Sequence, residues 1–375
     1  MSKPRVLILG GVGFIGRHLT CFLVENDLTS KIRVVDKVPP TTGWLNERHK
    51  VAFSKVEYKQ ANLANKASAE KAFTDPEGTY DIVVNLAAET KYGQSDEVYK
   101  ERVLTITLNC AHLAAKMSAK KFIELSTAQV YDSGKTPSKE DSKLAPWTHI
   151  AKYKLQAEQE IAKIPGLNYV VVRPVIVYGI GDRLGLTPRL IIGAVYAHLK
   201  EKMKLLWTKD LRMNTVHVID VCRALWHLTE HGVVGGVYNL VDKGDTSQGK
   251  VTSLISELFQ TRHDYFGTVL SNLAKLHLSE AVQESNEKHM APWSEMCAID
   301  NIVTTPLSPY IDQELLYNRS LSVDGSAIEK TGFQYSVPGP TVELLKEVIE
   351  DYIQMRLFPS SAFSGVVSMT TAAHN

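Results

Sequence analysis

The stretch Arg5-Val6-Leu7-Ile8-Leu9-Gly10-Gly11-Val12-Gly13-Phe14-Ile15-Gly16 decides how this chain begins. Val6 to Leu9 is a short continuous apolar run, the pattern of a strand covered on both faces. Phe14, Leu19, Phe22 and Leu23 then recur at helical spacing, which predicts a helix over Gly13–Asn26. Gly10, Gly13 and Gly16 join the two elements. Glycine permits a tight turn and a close approach of backbone to a pyrophosphate, and the N–H groups at the helix start stabilise its charge. Glycines alone say little. Here strand, spacing and helix agree, and Asp36 follows the next apolar run 20 residues after Gly16, where a carboxylate can bond the ribose hydroxyls of an adenosine. The acid repels a ribose 2′-phosphate, so NAD is favoured over NADP, with Lys37 beside it softening the preference.

Beyond this unit, apolar runs at Ile32–Val35, Ile82–Leu86, Phe122–Leu125 and Val170–Val172 alternate with helical periodicity. The fold class that follows is α/β: a Rossmann-type doubly wound parallel sheet with a smaller C-terminal substrate lobe. Helices are expected over Trp147–Ile164, Pro188–Lys202, Ile219–His231, Thr252–Phe259 and Thr341–Met355. The expected division is 1–180 for the nucleotide core, with core elements returning near 212–241, then 181–359 mainly for the lobe. Residues 360–375, rich in Ser, Thr, Ala and Gly, read as a flexible tail.

With 375 residues the chain can bury a large core. Its 42 Lys and Arg balance 41 Asp and Glu, so no net field points to nucleic acid. Cys21, Cys110, Cys222 and Cys297 form no CxxC pair, which suits a reducing compartment. No apolar run approaches the roughly 20 residues of a bilayer span. The expectation is a cytoplasmic protein without a transmembrane segment, acting on a small molecule, with a homodimer compatible with this reading.

Taken with these features, Asn85-Leu86-Ala87-Ala88, Ser126-Thr127-Ala128-Gln129-Val130-Tyr131, Arg173-Pro174 through Tyr178-Gly179, Val216-His217-Val218-Ile219-Asp220-Val221 and Gly236-Val237-Tyr238-Asn239-Leu240 resemble the NAD-dependent epimerase/dehydratase family of extended short-chain dehydrogenases/reductases. The resemblance runs from about Arg5 to Leu240. It implies NAD with its pyrophosphate over Gly13, Phe14 and Ile15, and contacts from Gly10, Gly16, Asp36, Asn62, Leu63, Leu86, Ala87, Ala88, Lys154, Pro174 and Val177. It also implies a catalytic Ser or Thr with a Tyr-x-x-x-Lys pair, in which the phenol exchanges a proton with the reacting oxygen and the lysine lowers its pKa.

Thr127 and Lys154 match that set, but four residues before Lys154 stands Ile150, which cannot donate a proton. The family's helical Asn is missing too: counting back from Asn109 puts Val103 in its place. Two tyrosines are alternative donors. Tyr153 lies one helical turn beyond Ile150, where a helix-surface tyrosine is the plainer reading; Tyr92 follows the fourth strand, at the end of the sheet where ligands bind. Ala128 and Gln129 replace the Asp-Glu pair of similar sugar-nucleotide 4,6-dehydratases, which disfavours that elimination. Thr305-Pro306-Leu307-Ser308, Asn318-Arg319-Ser320 and Gly332-Phe333 look more like the sterol and 3β-hydroxysteroid dehydrogenase branch.

The leading expectation is therefore an oxidoreductase or epimerase acting on a carbonyl or alcohol with an unusual proton donor. The alternative is a catalytically degenerate protein in which NAD regulates association. His227 and His231, four apart on a helix, lack a third ligand nearby, so no metal site is expected. The apolar stripe over Phe266–Leu278 reads as packing, with a lid or a membrane-surface helix as the functional alternatives.

Overall fold

Strands sheltered on both faces need helices above and below them, and the alternating pattern supplies both. A computed structural model describes residues 3–132, 134, 136–274 and 277–363. Its main sheet contains β1 (Arg5–Leu9), β2 (Lys31–Asp36), β3 (Glu57–Gln60), β4 (Ile82–Asn85), β5 (Lys121–Leu125), β6 (Tyr169–Pro174) and a last strand, Gly236–Leu240. All pairs are parallel, in the order Gly236–Leu240, β6, β5, β4, β1, β2, β3. The order reverses at β1, which pairs with β2 on one side and β4 on the other, and such a reversal opens a crevice at the carboxyl ends. This is a Rossmann-type sheet. β3 has no apolar run because it is the edge strand, half exposed and polar.

Contacts divide the chain into two units. The first comprises residues 1–175, 218–242 and 323–336 and holds the whole sheet. The boundary thus falls at Val175 rather than at 180, and the core returns twice. The helix Phe14–Glu25 buries Leu19 and Leu23, while Leu7 and Leu9 are fully enclosed; each such side chain contributes about 1.5–3 kcal/mol.

The second unit comprises 176–217, 243–322 and 337–375. Helices Thr187–Leu199, Gln248–Phe259, Leu278–Ile299 and Val342–Gln354 bury Ile191, Val195, Ile255, Trp293 and Ile349 among them. The apolar stripe begins with the short helix Gly267–Ala274, where Phe266, Val269 and Leu270 are exposed; the side chains of residues 273–276 lie outside the described residues. At the C-terminus, Ser360 and Ser361 bond Asp300 and Phe363 packs on Phe259. The rest of the expected tail, 364–375, lies outside the described residues.

One buried pair in the first unit sets an acid limit. Asn46 caps the helix Glu47–Phe53 by accepting from His49 N. The His49 ring meets His18 edge-on at 4.8 Å, and neither of its nitrogens has a hydrogen-bond partner among the described residues. Burial, then the neighbouring His18, Arg17 and Arg48, pushes its pKa down to about 2. An unfolded histidine takes a proton near pH ~6.5, so below that the unfolded chain binds the extra proton and stability falls by up to about 1.4 kcal/mol per pH unit. His49→Leu should remove about 2 kcal/mol of the loss between pH ~7.5 and ~5, measured by urea unfolding. An unchanged pH slope would mean that water reaches the imidazole.

Candidate active site

The glycine loop sits at the carboxyl end of β1. Gly10 has φ +73°, and a Cβ there would fall 2.7 Å from the Ala87 backbone; at Gly16 it would fall 2.4 Å from Gly11 Cα. These two glycines let the loop lie against the turn after β4 and against itself. At Gly13 a Cβ would meet only Gly10 O, at 3.1 Å. No side chain caps the helix that starts here and no acid stands in its first turn, so its positive end is left for an anion. The loop therefore fits a pyrophosphate.

Asp36 ends β2, with one carboxylate oxygen 3.0 Å from Val12 N and the other 3.0 Å from Val38 N. Burial pushes its carboxyl up while those N–H groups pull it down. Buried Arg17 donates to Gly13 O, Val12 O, Gly43 O and Trp44 O, tying the segment after β2 to the loop. Asn62 and Leu63 form the turn after β3: Asn62 Oδ1 accepts from Ala64 N, and Asn109 Nδ2 donates to Leu63 O and Ala64 O. After β4, Leu86 N donates to Leu9 O and Ala87 N to Asn85 Oδ1. Pro174 closes β6 in the first unit; Val177 belongs to the second, on the strand Ile176–Tyr178.

Lys154 is buried on the helix His149–Ile161. Its ammonium donates to Leu125 O and, at 3.0 Å, to Glu124 Oε1. Glu124 projects from β5 and is fully buried; Asn85 Nδ2 donates to it at 2.6 Å and Thr107 Oγ1 at 3.2 Å. Burial pushes the Glu124 carboxyl up, and Lys154, Asn85 and Thr107 pull it down. The sequence reading passed over Glu124, although a charge inside the apolar run Phe122-Ile123-Glu124-Leu125 was the signal.

Thr127 caps the short turn Ala128–Val130, its Oγ1 accepting from Gln129 N at 3.2 Å. Thr148 Oγ1 donates to Gln129 Oε1 at 2.9 Å, which turns the amide nitrogen toward Tyr92. Gln129 Nε2 then lies 2.9 Å from the Tyr92 hydroxyl, closer than the 3.3 Å to Oε1. The Tyr92 ring packs on the apolar cluster that contains Ile150, with Ala88 beside it. Tyr92, Gln129, Thr127 and Ile150 are thus drawn together. Tyr153 stacks on Tyr99 at 6.1 Å, Lys152 lies over its ring, and its hydroxyl faces Asp96. Among the described residues no hydrogen bond joins it to Thr127, Gln129 or Lys154.

The place of the missing helical Asn falls in an irregular stretch of helix. Residues Lys100–Thr105 form a π-helical turn, which carries one residue more than an α-helical turn. A count back from Asn109 crosses that shift: Val103 is buried in the apolar cluster, whereas Arg102 pairs with Glu89 at 3.0 Å in the segment after β4. Behind the site, Ser126, Glu158, Arg173, Tyr131 and Asn239 form one buried hydrogen-bonded chain. His227 and His231 stack at 4.3 Å, with His227 bonded to Thr331. No group of three metal-ligating side chains occurs among the described residues, and no described helix is long and apolar enough to cross a membrane.

The model of the NAD dependent epimerase/dehydratase family matches residues 6–240. A dTDP-D-glucose 4,6-dehydratase of Dictyostelium discoideum is 27% identical over 257 residues, 63% of this chain and 58% of that protein. A decarboxylating sterol-4-alpha-carboxylate 3-dehydrogenase of Candida albicans is 25% identical over 256 residues, 65% of this chain and 72% of that one. The chain spans less than two thirds of the dehydratase's length. The solved UDP-glucose 4-epimerase of Thermus thermophilus, a complex with NAD, superposes with a TM-score of 0.64 over 96% of this chain and 99% of that one, at 20% identity. At that identity the likeness is one of fold.

Proposed function

The chain belongs to the NAD dependent epimerase/dehydratase family, and from that premise we propose that it is an NAD-dependent oxidoreductase or epimerase whose proton donor is Tyr92. The observation that carries this reading is the 2.9 Å contact from Gln129 Nε2 to the Tyr92 hydroxyl. The Gln129 amide meets the hydroxyl through Nε2 and Oε1, so it holds the phenol oxygen in place whichever way the proton moves. Thr127 stands two residues from Gln129 and offers a hydroxyl to the same reacting oxygen.

The residues divide the labour simply. Gly10, Gly13 and Gly16 seat the pyrophosphate, Asp36 takes the adenosine ribose, and Lys154 holds the nicotinamide ribose. Bound NAD supplies the hydride acceptor. Tyr92 takes the hydroxyl proton as an alcohol becomes a carbonyl, and returns it in the reverse direction. The substrate is a nucleotide sugar or a sterol-like alcohol; Ala128 and Gln129 provide no acid/base pair for elimination, which favours simple oxidation or epimerisation. The regulatory alternative draws on Ile150, and turnover with any carbonyl substrate would exclude it.

Titration calorimetry tests the cofactor assignment. NAD should bind more tightly than NADP, and Asp36→Ala should weaken NAD by about 10- to 100-fold, the range of a lost charged hydrogen bond, while NADP changes little. Equal losses for both would put the adenosine ribose elsewhere, and absence of binding by either would end the reading.

A further inference from the structure

We propose that Glu124 is a positioning residue that fixes Lys154 and offsets its charge where the lysine holds the nicotinamide ribose. This rests on the reading of Lys154 as the holder of the nicotinamide ribose. An ammonium has three N–H donors. Two of them face inward, to Glu124 Oε1 and Leu125 O, which aims the third away from the sheet. Glu124 is itself held by Asn85 and Thr107, and Asn85 also carries Ala87 N. One buried carboxylate therefore joins the lysine to the turn after β4, where β4 and β5 pair Asn85 with Glu124.

A carboxylate or an ammonium alone at this depth is costly, and the two together are tolerable. In the usual constellation the lysine charge favours the phenolate of the tyrosine four residues earlier. Here that position is Ile150, so the Lys154 ammonium meets no phenol there and pairs with Glu124. The groups facing the pair are Asn85 from β4, Thr107 and Cys110 from the helix Ile106–Lys116, and Lys154's own helix. The Cys110 thiol is pushed up by burial and by Glu124, so it stays protonated and contributes no charge.

The experiment compares the parent with Glu124→Gln, Lys154→Met and the double variant, reading NAD dissociation constants by calorimetry and urea midpoints across a pH series. The parent should bind NAD evenly from about pH 6 to about pH 9, whereas Glu124→Gln should lose about tenfold or more as the pH rises, because an ammonium without its carboxylate gives up its proton. The double variant should be weak but flat. Should Glu124→Gln fail to fold, the double variant is expected to fold, since it removes the stranded charge. A folded Glu124→Gln whose pH profile overlays the parent's overturns the proposal, as does a double variant no more stable than the single one. If the parent binds no NAD, the cofactor reading fails instead, and the urea midpoints of the four proteins still decide whether Glu124 and Lys154 act as a pair.

Discussion

Tyr92→Phe lowers turnover by about 10²- to 10⁴-fold, the usual contribution of a general acid/base, and leaves NAD affinity within about twofold. The substitution keeps the ring in the apolar cluster beside Ile150 and removes only the hydroxyl that Gln129 contacts. The assay follows reduced cofactor while a panel of UDP- and dTDP-sugars and 3-hydroxysterols is offered, which also decides between the two substrate classes. Gln129→Leu should lower turnover by about tenfold or more, because the phenol loses the amide that holds it in place. Tyr153→Phe serves as the control: that tyrosine packs on Tyr99 and faces Asp96, so stability responds and turnover stays within a few-fold. Full activity of Tyr92→Phe would mean that the proton comes from substrate, water or another side chain.

Gly16→Ala abolishes measurable NAD binding, a loss of about 100-fold or more, and destabilises the first unit by several kcal/mol. The added Cβ would lie 2.4 Å from Gly11 Cα and 2.6 Å from Gly10 O, and both obstacles are backbone. The loop has to open to admit it. Gly13→Ala separates seat from scaffold: its Cβ would press only on Gly10 O, at 3.1 Å, so the fold survives while binding weakens by about tenfold or more. Thermal unfolding with and without NAD distinguishes the two variants. If Gly16→Ala binds NAD like the parent, the pyrophosphate does not sit on this loop.

What the sequence revealed and what it concealed differ by range. The place of the glycine loop at the end of β1 and of Asp36 at the end of β2 is legible because both lie within one strand–turn–helix–strand unit. β3 escaped because an edge strand has no need of an apolar run, and the helix Leu278–Ile299 because it buries only a thin stripe and carries Pro292. The contact between Tyr92 and Gln129 spans 37 positions and follows from the packing of two strand ends, which no local pattern encodes. The π-turn is invisible for another reason. One extra residue in a helix leaves composition and apolar content unchanged, yet it moves every later side chain by one register.

The first unit draws its residues from three stretches of chain, 1–175, 218–242 and 323–336. A ribosome adding about 5–20 residues per second delivers the last of these roughly 7–30 s after the first is complete. β6 presents a bare edge until Gly236–Leu240 arrives, and Asp220 then still waits for Ser336, whose N–H and hydroxyl it holds in the finished protein. Before Gly236–Leu240 is made, the nascent chain carries an open parallel edge on β6, a template for pairing with another chain. The first unit is complete only when its third stretch arrives, long after the nucleotide loop has emerged.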